Sequence, residues 1–317
     1  MENGYKNNEL FGPNISILVT VFTAAYNRRH TLERVYRSLQ KQTFKNFEWL
    51  IVDDGSTDDT ASLVARWQNE NNFFPIIYHW KQNGGKHTAH NLAITLARGN
   101  YFAILDSDDW YLPDTLKIFL NTWESMPQRI QKNFSNVEGL CSHANGKIVG
   151  HRFPIDIYDS NHLKIQNTHF FDTRGMYKLD VLRLYPFPEG YDSCFVPESL
   201  IWNRIAQKYN TRYINDIVGF TEYQSSGLSN RSLKEGFTKS EPAVLYNREL
   251  SEIKSLSFAK RLKCKVNVYR YSFHNRMSIM RQLGEERPRI LAIPLVLLGF
   301  MVYLKDQVAV FREELAK

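Results

Sequence analysis

The residues Asp106-Ser107-Asp108-Asp109 follow directly on the apolar run Tyr101-Phe102-Ala103-Ile104-Leu105. A strand that ends in Asp-x-Asp delivers two carboxylates to the carboxyl edge of a sheet, where open α/β folds place their ligands. Two oxygen ligands at this spacing suit one divalent ion bridging a diphosphate. Alone, the tripeptide says little, because most such pairs are solvated turn residues or helix caps. The chain upstream gives it weight.

Ser16–Phe22 and Phe47–Val52 read as buried strands, each followed by turn residues and then a helical pattern. Between them Thr31 reads as a helix cap with Glu33 behind it, and Leu32, Val35, Tyr36 and Leu39 recur at helical spacing until Gln42-Thr43-Phe44. The second strand runs into the acidic turn Asp53-Asp54-Gly55-Ser56-Thr57-Asp58. Gly55 supplies cheap positive φ there, and Ser56, Thr57 or Asp58 can cap a helix from Thr60 to Trp67. A third strand, Pro75 to His79, leads to Asn83-Gly84-Gly85-Lys86 and a helix from about His87 to Ala97. The fourth strand ends in Asp106. Four such strands finish on one edge of a parallel sheet, so Tyr26-Asn27, Asp53-Asp54, Gly84-Gly85-Lys86 and Asp106-Ser107-Asp108 converge. The expected fold class is α/β, a mixed sheet flanked by helices.

The segments Thr23-Ala24-Ala25-Tyr26-Asn27, Ile51 to Asp58, Asn83 to Lys86 and Leu105 to Asp109 resemble, in order and spacing, the family-2 inverting glycosyltransferases of the GT-A fold. The resemblance covers roughly the first 225 residues and implies roles for them. The turn after the second strand reads the nucleobase, here through Asp54 with Asp53 beside it, since a carboxylate accepts from a base N–H. Tyr26 lies against the base, or else is a core aromatic at a strand end, and Ala24, Asn27 and Ser107 line the same nucleotide site. Lys86 opens a helix after two glycines, so its ammonium and the first backbone N–H groups can hold diphosphate oxygens; a solvated lysine in a turn is the plain alternative. Asp106 contacts the ribose or a metal-bound water, and Asp108 ligates Mn²⁺ or Mg²⁺. The donor implied is a nucleotide-diphosphate sugar, a UDP-sugar foremost.

Inversion also needs a base to take the acceptor's proton. The resemblance places it at Glu198, ahead of Ile201-Trp202-Asn203-Arg204, with Asp192 the next candidate. Pro197-Glu198-Ser199 departs from the family's commoner Glu-Asp pair. Glu198 is also what a helix's first turn favours without any catalysis. Leu140 to Gly150 reads as a hairpin on Asn145-Gly146, Thr168 to Thr173 as a strand before a helix from Lys178, and Ile217 to Tyr223 as the last strand. Asp172, Arg174 and Gly175 fall where family members shape the sugar pocket and receive no role; His143 and His169 read as half-buried strand residues.

The expected organisation is a catalytic domain over residues 1–225, divided into a nucleotide-binding half at about 14–110 and an acceptor half at about 111–225. A linker or lid at 226–257 and a helical tail at 258–317 follow. Cys141, Cys194 and Cys264 show neither ligand spacing nor a disulfide framework, and the polar start carries no secretion signal, so a cytoplasmic protein is expected. The formal charge of +7 resides in Ser251 to Lys317, which holds 13 Lys or Arg against 6 Asp or Glu. No nucleic-acid fold signature accompanies it, so nucleic acid is not an expected partner. The run Ile290 to Leu304, interrupted by Pro294 and Gly299, is shorter than the roughly 20 residues of a spanning helix. It is expected to lie in a membrane interface with the cations on anionic lipid, or to pack on the protein or in a homodimer. The acceptor implied is a glycan or lipid-linked oligosaccharide at the inner face of the cell membrane.

Other classes fit less well. A sugar-1-phosphate nucleotidyltransferase would carry a Gly-rich first loop with an Arg, and Thr23-Ala24-Ala25-Tyr26-Asn27 is neither that nor a dinucleotide fingerprint. A degenerate transferase serving as a membrane scaffold would not need Asp106, Asp108 and Glu198. The Gln-x-x-Arg-Trp of processive relatives is absent, so one sugar per encounter is expected.

Overall fold

Alternate residues of the second strand enter different cores. Trp49 and Ile51 join one apolar cluster with Val21, Tyr36 and Trp67, while Leu50 and Val52 join another with Phe22, Ala89 and Phe102. Period-two alternation sends successive side chains to opposite faces, so this strand is covered on both sides, as parallel strands are. The computed structural model describes residues 17–166, 172–191, 195–222, 237, 240–284 and 289–315. Contacts divide the chain into two units, Met1–Pro188 with Ile201–Tyr223, and Glu189–Leu200 with Gln224–Lys317.

The first unit begins β1 (Val19–Ala25), α1 (Arg29–Gln40), β2 (Phe47–Asp53), α2 (Thr60–Gln68), β3 (Ile76–Trp80), α3 (Lys86–Leu96) and β4 (Tyr101–Ile104). It continues with β5 (Trp110–Tyr111), α4 (Thr115–Glu124), α5 (Gln128–Gln131), β6 (Phe134–Ser142), β7 (Ile157–Ser160), α6 (His162–Ile165), β8 (Thr173–Lys178) and α7 (Leu179–Leu184). α8 (Ser199–Ile205) crosses the unit boundary, and β9 (Asn210–Phe220) completes the sheet. The strand order is β3-β2-β1-β4-β8-β6-β9-β5, with β7 paired to β9. β3, β2, β1 and β4 are mutually parallel, so their carboxyl ends share one edge as expected. β8 then runs antiparallel to β4, with Ala103 opposite Met176, which makes the sheet mixed.

Three local expectations change. Thr31 is not the cap of α1: the helix starts at Arg29, and the Thr31 hydroxyl donates to the Arg28 carbonyl inside the first turn. The strand placed at Thr168 to Thr173 starts where it was to end, at Thr173, and the helix behind it starts at Leu179; residues 167–171 lie outside the described residues, His169 among them. β9 starts at Asn210 rather than Ile217. The hairpin turn at Asn145-Gly146 is present, with Gly146 at φ +82° and the His143 N–H donating to the Lys147 carbonyl at 2.9 Å. His143 therefore stands in that turn, past the end of β6. Cys141 and Cys264 are buried free thiols, and burial pushes Cys141 up to about 12; Cys194 is outside the described residues.

The second unit holds α9 (Glu241–Glu252), α10 (Phe258–His274), α11 (Ile279–Gly284) and α12 (Arg289–Leu315). α9 falls within the stretch expected to be a linker or lid, yet it is a helix packed in the same unit as the tail. The first part of that expected linker, residues 226–236, is outside the described residues, as is Tyr223, the expected end of the last strand. The expectation of a short apolar run is corrected as well. α12 does not stop at Leu304, and its stretch Ala292–Leu315, 24 residues of mean hydropathy 1.6, has the length and composition to cross a membrane, weak evidence in a single helix. The helix continues through Lys305 and Asp306, and Asp306 is paired to α10. It accepts from Arg270 Nε at 2.6 Å and Nη2 at 2.7 Å, with His274 Nε2 at 2.9 Å. Gly299 abuts α10, where a Cβ would come within 2.7 Å of the Tyr269 Cβ. Asp306→Ala strands Arg270 in a site 21% exposed, so it should cost about 3 kcal/mol, the low end for breaking a buried pair. Urea unfolding checks this, and a loss below about 0.5 kcal/mol would mean that the pair does not seat α12.

Candidate functional site

The loop after β1 is fastened to the loop after β2. Asn27 takes φ +53°, a conformation asparagine tolerates. Its Oδ1 accepts from the N–H groups of Thr57 at 2.8 Å and Asp58 at 3.3 Å, while its own N–H donates to Ser56 Oγ at 2.8 Å. Asn27 thus holds two loops in register, and its neighbour Tyr26 is 49% exposed at this edge, as Trp80 is, 55% exposed at the end of β3. Ala24 is half-buried in β1.

Asp53 and Asp54 end β2 and are both buried. Asp53 accepts from the Ser56 N–H at 2.7 Å and the Tyr78 hydroxyl at 2.5 Å; burial and that carboxylate push the Tyr78 phenol up. Asp54 accepts from Lys81 Nζ at 2.6 Å and from the N–H groups of Gly84 at 2.9 Å and Gly85 at 2.7 Å. The carboxylate expected to face a nucleobase therefore also builds the loop that opens α3. Gly85 needs its φ of +100° there. A Cβ on Gly55 would meet the Asn83 nitrogen at 2.8 Å, so the two loops touch backbone to backbone.

Lys86, the first residue of α3, donates to Asp106 Oδ1 at 2.6 Å. Burial pushes the Asp106 carboxyl up, but the Lys86 and Arg174 charges outweigh it and hold the group down at about 2. Ser107 is buried and Asp108 half-buried. Arg34, lying 4.9 Å from the Trp110 ring centre, donates to the Asp108 carbonyl and to Glu222. Asp109 is buried and receives Arg174 Nε at 2.8 Å. Burial pushes Asp109 up, the Arg174 guanidinium pulls it down, and the Asp106 and Asp108 charges push it up again, to about 6.

Among the described residues no three His, Cys, Asp or Glu side chains form a metal cage. The Asp108 carboxylate has no hydrogen-bond or ion-pair partner among the described residues, and Asp106 is held ionised beside it in the same turn. One or two carboxylates with the remaining positions left to phosphates and water is how Mg²⁺ is commonly bound at nucleotide sites, so these residues fit such an ion. Glu198 belongs to the second unit, half-buried and directly before α8. Asp192 is outside the described residues.

Arg34 and Lys81 were not foreseen, and Arg174 was named without a role. Lys81 had a local signal, standing just ahead of the Asn83-Gly84-Gly85 turn. Arg174 had a partial one in its place beside Asp172 and Gly175, and Arg34 had none.

Residues 20–182, just over half of the chain, match the model of the family described as Glycosyl transferase family 2. The chain belongs to glycosyl transferase family 2. This family member is 36% identical over 100 residues to a protein of Bacillus subtilis, TuaG, described as a glycosyltransferase of teichuronic acid biosynthesis; the match covers 32% of this chain and 39% of that one. The chain spans less than half the length of the curated relatives it matches. Among solved structures it is similar to Staphylococcus aureus TarS residues 1–349 in complex with UDP-GlcNAc, with a TM-score of 0.61 and 18% identity, covering 91% of this chain and 81% of that one. It is also similar to the mannosyltransferase PcManGT of Pyrobaculum calidifontis in complex with GDP-Man and Mn²⁺, with a TM-score of 0.56 and 17% identity, covering 91% and 86%. At such identities the two structures speak to the fold, which is that of the GT-A glycosyltransferases.

In this family-2 member the Asp106 carboxyl, depressed below its ordinary 3.8, stabilises the fold above that pH, and the contribution is lost as pH falls through about 2. Lys86→Met should move the Asp106 titration up toward 3.8, read by carbon-13 NMR of the aspartate carboxyls in metal-free protein. An unmoved titration would show that Lys86 is not what holds Asp106 ionised.

Proposed function

We propose that the protein transfers a sugar from a nucleotide-diphosphate donor, a UDP-sugar foremost, to an acceptor hydroxyl with inversion. The observation that carries this reading is the strand-end turn, where an ionised Asp106 paired to Lys86 adjoins the Asp108 carboxylate, unpaired among the described residues, on the edge that Tyr26, Asp53 and Asp54 share. Tyr26 offers its exposed ring to the base, and Asp54 has a lone pair beyond the three it uses on Lys81, Gly84 and Gly85. Lys86 and the first N–H groups of α3 face diphosphate oxygens. Asp108, with Asp106, would hold Mn²⁺ or Mg²⁺, which when bound offsets charge on the leaving diphosphate. Glu198 removes the acceptor's hydroxyl proton; the freed oxygen bonds to the anomeric carbon as the bond to the diphosphate oxygen breaks, and the diphosphate leaves with that electron pair.

We further propose that the acceptor is a glycan or a lipid-linked oligosaccharide, met at the inner face of the cell membrane. Support comes from the second unit, where Ile293, Leu297, Met301, Leu304, Val308 and Phe311 recur at helical spacing along α12 and are all exposed. Lys263, Lys265 and Arg281 are exposed in the same unit. Cations near anionic lipid contribute roughly 1 kcal/mol each. Full-length protein should therefore co-sediment with anionic liposomes, and Lys263→Glu/Lys265→Glu/Arg281→Glu should bind at least about 100-fold more weakly. Equal binding to neutral liposomes would remove the electrostatic part of this reading.

Donor hydrolysis and transfer, measured with Mn²⁺ across a panel of nucleotide sugars, test the activity. Glu198→Gln should lower kcat by at least about 10² with donor affinity little changed, the usual scale for losing a general base. Near-normal turnover would move the base elsewhere, and a panel without any hydrolysed donor would contradict the reading.

A further inference from the structure

We propose that Arg174 is the positioning residue of the donor site: its guanidinium withdraws Asp109 from the ligand set and fixes the Asp106–Asp109 turn so that Asp106 and Asp108 receive a metal-bound diphosphate. The inference rests on the nucleotide-sugar reading and adds the residue that shapes its metal end. Arg174 reaches the turn from β8, the strand beside β4, and its side chain is 14% exposed. Nε and Nη2 both donate to Asp109 Oδ2, Nε at 2.8 Å. Nη1 donates to Asp172 Oδ1 at 2.6 Å and to the Thr173 carbonyl at 2.9 Å, and Nη2 stands 3.8 Å from Asp106 Oδ2. One planar fork therefore meets three carboxylates in fixed directions, which a lysine's point charge does not do.

Three carboxylates lie within four residues of this turn, and any of them has the chemistry of a divalent-metal ligand. The structure sorts them. Asp109, its side chain 3% exposed, is tied to Arg174 from one side, and its N–H donates to the Asp106 carbonyl at 3.1 Å on the other. Asp106 pairs with Lys86. Asp108 keeps its carboxylate unpaired among the described residues while Arg34 holds its carbonyl. Without Arg174 the buried Asp109 charge loses its counter-ion, and its escape toward solvent would drag the turn and set a third carboxylate against Asp108.

The test compares full-length wild type with Arg174→Lys and with the pair Asp109→Asn/Arg174→Met, in which neither charge is left buried. Mn²⁺ affinity is read from the free-ion EPR signal in the presence of UDP and, separately, GDP; thermal unfolding and the kcat and KM for donor hydrolysis are read alongside. The paired variant should unfold near the wild-type temperature, since replacing a buried pair as a unit is tolerated, and Arg174→Lys keeps the counter-charge while losing the fork; both should bind Mn²⁺ about 10-fold to 100-fold more weakly, the scale on which partners of metal ligands act. The hydrolysis loss should fall on kcat and be partly recovered at high Mn²⁺. Wild-type Mn²⁺ affinity in the paired variant, or a lowered unfolding temperature with unchanged affinity in Arg174→Lys, would reduce Arg174 to a structural role and overturn the proposal. If Arg174→Lys does not fold, the paired variant decides. Wild type binding Mn²⁺ with neither nucleotide would overturn the underlying nucleotide-sugar reading, and this inference with it.

Discussion

Three carboxylates at the end of one short strand repel one another, and that repulsion is answered from elsewhere in the chain. Two cations answer it. Lys86, from the start of α3, meets Asp106, and Arg174, from β8, meets Asp109. Neither is near the turn in sequence: Lys86 is brought there by the start of α3, and Arg174 by β8, which lies beside β4 in the order β1-β4-β8.

The same edge is stiffened by polar groups that join loops. Asn27 ties the first loop to the second, and Asp54 ties the second to the third through Lys81, Gly84 and Gly85. These bonds order the loops at folding, so a ligand proposed to bind there would not have to organise them. Asn27 and Asp54, expected at a nucleotide, thus have structural work of their own, whereas Tyr26 and the Asp108 carboxylate show no such internal bonds among the described residues.

What was legible in the sequence follows from range. β1 to β4 and the helices between them carry their own periodicity and turn residues, so their order, and the convergence of Tyr26, Asp53, Asp54, Lys86, Asp106 and Asp108, could be read locally. Thr31 misled because the capping pattern is shared by residues within a first turn, and α1 in fact starts at Arg29, with Arg28 as its N-cap after the positive φ of Asn27. Arg174 was invisible as a partner because antiparallel insertion of β8 beside β4 joins residues some 65 positions apart, and no local pattern encodes it. The length of α12 was misjudged for the same reason. Lys305 and Asp306 look like an end to the apolar run until Asp306 is seen ion-paired to Arg270 and hydrogen-bonded to His274.

The central claim is that a nucleotide diphosphate lies on this edge with its metal on Asp108. Co-crystals with Mn²⁺ and UDP or GDP, examined for anomalous scattering from manganese, address it most directly. A single manganese peak is expected at roughly 2.2 Å from an Asp108 carboxylate oxygen, bridging to the diphosphate, with the base against Tyr26. A nucleotide bound away from the ends of β1, β2 and β4, or a metal whose ligands do not include Asp108, would contradict it.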